Sequence, residues 1–356
     1  MLTKTARIAP YRAFSHRGKL GDMHRPQTLS QIAPARERRR PFRRGTLHAA
    51  LLLAAGIWMA NAPAFAKNPN CTLAQKKSAD KWLWLNARDK DLSLKQNLPW
   101  GAPTATAPTT NEHLLIHWDY VIGYDDDLRV PLWTGERVVG SKLGNTTRSD
   151  CFRPDPRLDP SVSASLDDYD EPIYDQGHIT PSADVTISKI SVWNSFVLSN
   201  MTPQYAVFNR GIWRKLEDLA RRWAIANGTA YILTGSIFDR DNNGLRDPDS
   251  VAPQMKPRKG LPRVAIPSAF YKIVTIEQPD HSLKTIAFIL PNTPTAVPSK
   301  QTLGYLGSSI VTIEAVERFT GLDLFPAGPA ITQSNALWPI PMAAPRNSSK
   351  RKHKPT

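Results

Sequence analysis

Three short clusters carry residue types from which a hydrolytic site could be made. They are Tyr174-Asp175-Gln176-Gly177-His178, Leu198-Ser199-Asn200-Met201-Thr202-Pro203-Gln204, and Phe208-Asn209-Arg210-Gly211, the last running into a helical pattern that carries Glu217. An imidazole titrates near neutral pH, so His178 is suited to take a proton from water. Of the histidines beyond residue 66 (113, 117, 178, 281 and 353), only His178 sits in such a setting. Asp175, three residues earlier, can orient the imidazole or fix the loop. Gly177 permits a backbone turn that a side chain would obstruct. Asn209 offers a neutral carboxamide oxygen of the kind a hard cation accepts; at a helix start it is equally an N-cap. On an ideal helix Glu217 lies about 12 Å further on and about 80° round from Asn209. That offset keeps the two from ligating one ion together. Glu217 is then a partner for a water on that ion, or a solvated carboxylate.

The elements that must position these groups can be read from the hydrophobic pattern. Leu114–Tyr124 and Val130–Val139 read as strands with Asp125-Asp126-Asp127 as the turn between them. Arg148–Pro172, rich in Pro, Asp and Ser, reads as an irregular loop. Asn209–Ala226 has Ile212, Leu216, Leu219, Ala220 and Trp223 at helical spacing, and Asn227-Gly228 stops it. Tyr231–Phe238, Arg263–Glu277 and Leu283–Leu290 are strand candidates. A short helix is expected around Ala79–Arg88 and a final one over Ser309–Phe319. Strands, helix, strands, helix is the order of an α+β domain rather than of βαβ units.

In order and spacing the clusters resemble the DNA/RNA non-specific endonucleases, the ββα-metal group that includes secreted bacterial nucleases and mitochondrial endonuclease G. The resemblance runs from about Leu98 to Phe325. It takes in Arg148 of Arg-Ser-Asp-Cys-Phe, the strand Ile266–Lys272, Leu290-Pro291-Asn292, and Ile313-Glu314 with Thr320-Gly321-Leu322. It implies a nuclease domain at 113–325 with a central, mostly antiparallel sheet flanked by helices, and a hairpin-and-helix metal motif between Ile173 and Arg222. It further implies Mg²⁺-assisted hydrolysis of DNA and RNA, with Mn²⁺ as a substitute ion, leaving a 5′-phosphate. In that scheme His178 is the general base, Asn209 the direct metal ligand and Glu217 a ligand through water. Arg148 clamps the phosphate, with a surface salt bridge as its alternative. Asn200 positions the loop or the phosphate, or is an ordinary turn asparagine. Gln176 and Arg210 are further substrate contacts. The family usually has arginine where this chain has Gln176; losing that cation weakens phosphate attraction and leaves the imidazole less depressed in pKa. Rival readings are a hydrolase of other phosphodiesters and a catalytically inactive nucleic-acid-binding protein.

Charge has to be located before it is interpreted. The net charge is +15, but residues 1–66 hold 12 Lys and Arg against 2 acids, and the tail from Arg346 holds 5 basic residues and no acid. Between them 29 basic residues meet 29 acidic ones, so the body is neutral and only a local patch can speak for nucleic acid. The basic, Arg-rich start, the apolar run Leu47–Met59 and Ala64-Phe65-Ala66 read as a signal peptide over 1–66. Secreted or periplasmic, bacterial-type export is therefore expected, with no stable membrane association after cleavage. In that setting Cys71 and Cys151 are expected to form a disulfide, two free buried thiols being the alternative. Residues 67–112 read as an N-terminal segment and linker, and 326–356 as a disordered Pro/Ala-rich and then basic tail. Asp239, Asp241, Asn243 and Asp247 around Gly244 resemble a Ca²⁺ loop for a structural ion, though Ser250 replaces the closing glutamate; a plain acidic surface loop is the alternative. No G-x-S-x-G, H-E-x-x-H or Walker sequence occurs. The oligomeric state, a homodimer included, is left open.

Overall fold

The structure, a computed structural model, describes residues 71–106, 112–256, 263–329 and 331–341. The expected leader at 1–66 and the basic end of the tail lie outside these residues.

The strands in chain order are β1 Thr104–Ala105, β2 Glu112–Ile116, β3 Tyr120–Asp125, β4 Val130–Val139, β5 Tyr174–His178, β6 Met201–Tyr205, β7 Thr229–Ile237, β8 Ala269–Glu277, β9 Leu283–Pro291, β10 Ile310–Val311, β11 Leu322–Asp323 and β12 Ile331–Gln333. The helices are α1 Leu73–Asp80, α2 Ala87–Asn97, α3 Lys189–Asn194, α4 Ala206–Phe208, α5 Arg214–Asn227, α6 Thr302–Ser308 and α7 Ile313–Thr320. Eight strands form one sheet in the order β10-β9-β8-β7-β4-β3-β2, with β12 beside β9. Every pairing in it is antiparallel except β12 on β9. The architecture is α+β.

Side chains alternate across a strand, so each central strand feeds two cores. Val138, Ile232, Phe270, Val274 and Phe288 point to the face covered by α5, where Leu216, Leu219, Ala220 and Trp223 meet them. Trp133, Leu233, Tyr271, Ile273 and Ala287 point to the other face, against Ile313 and Val316 of α7. The expected stop of the long helix stands: Gly228 follows α5 with φ +81°, a conformation few other residues adopt. Gly321 closes α7 in the left-handed region in the same way.

Four expectations are corrected. The stretch Leu114–Tyr124 is two strands, turned at His117-Trp118-Asp119, where His117 N donates to Tyr120 O at 2.9 Å; the turn holds no glycine or proline to mark it. The helix expected at Ala79–Arg88 is a break between α1 and α2, each started by a side-chain cap, Thr72 and Asn86. The final helix begins only at Ile313, after the two-residue β10, and α6 was not foreseen. The tail is not loose over 331–341. There β12 pairs with β9, Trp338 packs edge-on to Trp223 at 5.1 Å, and Trp223 Nε1 donates to Pro339 O at 3.0 Å. A Pro/Ala-rich composition conceals those anchors.

Cys71 and Cys151 form the disulfide, with Cα atoms 5.3 Å apart and a separation of 80 positions in sequence. A loop of that size is worth about 4 kcal/mol in the chain-entropy picture. It fastens the N-terminal segment to the loop that carries Arg148. Lys76 Nζ donating to Phe152 O at 3.2 Å and Arg153 Nε to Asp80 at 2.6 Å hold the same seam. Residues 71–106 are thus part of the folded body rather than a linker. Among the described residues no helix is long and apolar enough to cross a membrane.

Candidate active site

Most of the sequence-predicted residues fall on a hairpin and the helix that follows it. β5 pairs with β6 from Tyr174↔Tyr205 to His178↔Met201. The 22 residues between the two strands pass through α3 and return at Leu198–Asn200. After β6 the chain enters α4 at once, makes a wide five-residue π turn over Asn209–Trp213, and continues as α5.

His178 ends β5. Its ring is buried, edge-on to Phe196 at 4.6 Å and near Phe152 at 6.1 Å. Nε2 has no hydrogen-bond partner among the described residues. Burial, and then the charge of Arg148, hold its pKa well below the usual 6.5, so the ring is neutral at pH 7 and its lone pair is free to accept a proton. Burial is the larger cause, and Arg148 supplies a neighbouring cation where Gln176 carries none. Arg148 lies with its Cζ 5.0 Å over the Phe196 ring, so one phenyl ring carries both groups. It is exposed and ion-paired to Asp150 at 2.7 Å, so its surface salt bridge is real as well.

Asp175 does not orient His178. It accepts from Asn209 Nδ2 at 2.8 Å and from Arg210 Nε and Nη2 at 2.9 and 2.6 Å. The strand thereby grips the helix start. The bond to Asp175 fixes the Asn209 carboxamide through its nitrogen, and Oδ1 takes no hydrogen bond among the described residues. Asn209 is not an N-cap, since α4 precedes it. Arg210 is spent on Asp175 through its guanidinium edge, although the side chain is largely exposed.

Gly177 serves another purpose than a turn. It lies within β5 opposite Thr202, and a Cβ there would overlap the Gln204 side chain. Gln204 Nε2 reaches His178 O at 3.4 Å across that gap. Asn200 is wholly buried and fully engaged. Its Oδ1 accepts from Thr180 N, and its Nδ2 donates to Thr180 O and Ser195 O, each at 2.9 Å. It locks the two residues after His178 to the returning loop, so it positions the loop and has nothing left for a phosphate. Gln176 is buried too, with Nε2 unpartnered among the described residues.

Glu217 lies on α5, and the ideal-helix argument that set it apart from Asn209 is corrected. Gly211 in the π turn is non-helical (φ −102°, ψ −110°), so uniform rotation does not run from 209 to 217. Burial pushes the Glu217 carboxyl up to about 7, while Lys272 and Arg221 pull it back.

Around Glu217 stands a group the sequence analysis missed. Glu136 on β4, Lys272 on β8, Asp184 after His178 and Arg221 one turn beyond Glu217 interact electrostatically with one another. Lys272 is fully buried, donates to Thr234 Oγ1 at 2.6 Å and sits 5.1 Å from the Trp213 ring. Arg221 Nη1 holds Asp184 at 2.6 Å. Both Glu136 oxygens, Asp184 Oδ2 and Trp213 Nε1 lack partners among the described residues. A signal existed: a lysine inside Ala-Phe-Tyr-Lys-Ile-Val-Thr-Ile and a glutamate inside Val-Pro-Leu-Trp-Thr-Gly-Glu are charges in the middle of apolar strands.

Elsewhere, ligand oxygens of Asp239, Asp241 and Asp247 lie within 4.8 Å of one another and could hold a metal ion. Asn243 does not join them; its Nδ2 donates to Asp241 at 2.9 Å and its Oδ1 accepts from Leu245 N at 2.8 Å.

With this geometry in place, the kinship of the chain can be stated. Residues 102–330 match the family described as DNA/RNA non-specific endonuclease. The chain belongs to that family. Over 244 residues it is 31% identical to Nuclease 1, mitochondrial, of Schizosaccharomyces pombe, a match covering 66% of this chain and 71% of that one. Nuclease C1 of Cunninghamella echinulata var. echinulata is 31% identical over 223 residues, 61% of this chain and 84% of its own. A chain of the crystallised EndoG/EndoGI complex, described for the mechanism of EndoG inhibition, superposes with a TM-score of 0.56 at 26% identity; the match covers 68% of this chain and 96% of that one. The expectation of secreted or periplasmic, bacterial-type export is overturned by these relatives. The fission-yeast protein is mitochondrial, as are EXOG of Danio rerio and of Homo sapiens and the mitochondrial nuclease of Saccharomyces cerevisiae. The Arg-rich, acid-poor start that reads as the basic part of a signal peptide describes a transit peptide equally well.

Proposed function

We propose that this protein is a Mg²⁺-dependent endonuclease that hydrolyses phosphodiesters of DNA and RNA without sequence preference, using His178 as general base. Family membership supports the nuclease class. The observation that carries the catalytic assignment is the state of His178: neutral, buried, Nε2 unpaired, with a guanidinium on the same phenyl ring and Asn209 tethered to its own strand.

The donor set suits a hard cation that keeps much of its hydration. Asn209 Oδ1 would hold the ion directly and Glu217 through water, and Mn²⁺ would serve in its place. When bound, the ion would neutralise charge on the phosphate and the leaving oxygen. His178 takes the proton of the attacking water at Nε2. Arg148, freed from Asp150 by the better acceptor, pairs with the phosphate oxygens. Asn200 and Gln204 keep the histidine backbone in place, and Asp175 keeps Asn209 turned the right way.

The test is a digest of supercoiled DNA and of RNA with Mg²⁺, with EDTA, and with His178→Ala. The expected result is cutting of both polymers with Mg²⁺, none with EDTA, and a loss of about 10²- to 10⁴-fold in the variant, the usual contribution of a general base. A variant that cuts at the wild-type rate removes His178 from the mechanism.

A further inference from the structure

A cavity of about 530 Å³ lies apart from the groups just described, and the mechanism uses none of its walls except Asp184. Its walls include Trp82 from the turn after α1, Trp118 and Asp119 from the β2–β3 turn, and Arg137 and Lys142 at the end of β4. The opposite wall is the segment after His178, from Asp184 to Asn194.

We propose that this cavity is a nucleobase subsite, seating an unpaired base of the nucleic-acid strand that is being cut. The inference rests on the nuclease reading above and names the form of substrate it favours.

Four observations carry it. The volume falls in the range of small-ligand sites and accommodates a nucleotide. Two indoles face it, Trp118 and Trp82, and Trp82 is 53% exposed, so its ring is open to a stacking partner. Every base has a π face, and stacking on aromatic side chains is how single strands are held without regard to sequence. Arg137 and Lys142 are exposed on its wall, and neither is in an ion pair among the described residues, although the body of the chain balances its charges. Cations beside an aromatic slot meet the phosphates flanking a seated base. Finally, the walls offer base edges both kinds of partner. Asp119 and Ser191, themselves hydrogen-bonded, supply acceptor and hydroxyl.

Position joins the cavity to the candidate active site. Asp184 in the wall is gripped by Arg221, one helical turn past Glu217. Leu143 in the wall precedes Arg148 by five residues. The proposal lays the strand that rests on Arg148 and Glu217 across this opening. A base inside a duplex is already stacked on both sides and cannot enter, so the subsite favours single strands, frayed ends and loops.

The test uses the full protein in EDTA, so that nothing is cut, with fluorescein-labelled octathymidylate read by fluorescence anisotropy. Trp118→Ala and Trp82→Ala are each expected to raise Kd about tenfold, with Trp118→Phe falling between them and wild type. The same variants should change the Kd for a blunt duplex much less. With Mg²⁺, the ratio of kcat/KM on the oligonucleotide to that on bis(4-nitrophenyl) phosphate, which has no base, should fall by a similar factor through KM. Kd values within twofold of wild type for both alanine variants overturn the subsite, and so does an equal loss on duplex. If wild type cuts neither substrate, the nuclease reading fails on its own; the metal-free titration still decides the subsite, because it needs no catalysis.

Discussion

Two buried networks of charge each take in a residue of the loop that follows His178, Ser199 in one and Asp184 in the other, and they are built on opposite principles. In the first, Asp155 accepts from Arg157 Nε at 2.9 Å and Nη2 at 2.6 Å and from Ser199 Oγ at 2.7 Å, while Arg157 also binds Ile116 O at 2.9 Å and His117. Both carboxylate oxygens are used. Burial alone would raise the Asp155 carboxyl, but the hydrogen bonds and charge of Arg157 outweigh it and hold the pKa below the usual range. In the second, Glu136, Asp184, Glu217, Arg221 and Lys272 share a buried space, yet Glu136 has no hydrogen bond among the described residues. There burial and the neighbouring Asp184 push Glu136 well above the usual carboxyl range, against the pull of Lys272. A satisfied network is scaffold: Ser199 sits beside Asn200, so Asp155 helps set the loop that carries His178. An unsatisfied one stores an electrostatic cost, and such costs collect where ions, water or substrate are to be handled.

The contrast is open to direct attack. Asp155→Asn should give the largest loss of stability, about 3–5 kcal/mol, because it strands Arg157 in the interior; chemical denaturation would read it. A cost below about 1 kcal/mol would abolish the distinction. Lys272→Met should lower stability by a similar or somewhat smaller amount, since it leaves Glu136 and Asp184 facing each other without their cation. Glu136→Gln is the sharpest probe, with the smallest structural cost. At pH 7 it should be neutral or stabilising by up to about 1 kcal/mol, because no hydrogen bond is lost and a buried charge is removed. Activity should nevertheless fall if the field around Glu217 matters. The advantage should shrink on acidification and vanish below about pH 4.5, where wild-type Glu136 is protonated folded and unfolded alike.

The pH dependence of wild-type stability follows the same division. Burial, and then the charges of Arg157 and Arg148 respectively, depress His117 and His178 in the folded state. Their contribution is complete above pH 6.5 and is lost as pH falls toward their folded values; Asp155 adds a second loss below about pH 4. Glu136 works in reverse, its contribution present below 4.5 and lost as pH rises. Denaturation midpoints measured from pH 4 to 8 should therefore drop most on the acid side. His117→Phe should flatten the part between 5 and 6.5; an unchanged profile would show that His117 does not titrate with unfolding.

The sequence was most legible where local chemistry decides. Helix α5 and its glycine stop, the strands β4, β7 and β9, and the cluster ending in His178 could all be read from periodicity, spacing and turn residues. It was least legible where partners are remote. The turn at His117-Trp118-Asp119 carries no glycine or proline, the anchoring of Trp338 depends on Trp223 more than a hundred residues away, and the role of Gly177 depends on Gln204 across the hairpin. Asp175 is the clearest case. Beside His178 in sequence it looked like the residue that steers the ring, yet its carboxylate belongs to Asn209 and Arg210, 34 and 35 residues on.

By itself the sequence determined which chemical groups are available and in what order: one imidazole in a motif, a carboxamide, a carboxylate, an arginine and two cysteines able to pair. Only the tertiary structure decided which of them act together. A pKa, an unpaired lone pair and the direction of an amide depend on what burial brings alongside, and burial joins residues that the chain keeps far apart. Phe196 beneath both Arg148 and His178, the kink at Gly211 between Asn209 and Glu217, and Lys272 among three carboxylates are consequences of packing, and no local pattern encodes them.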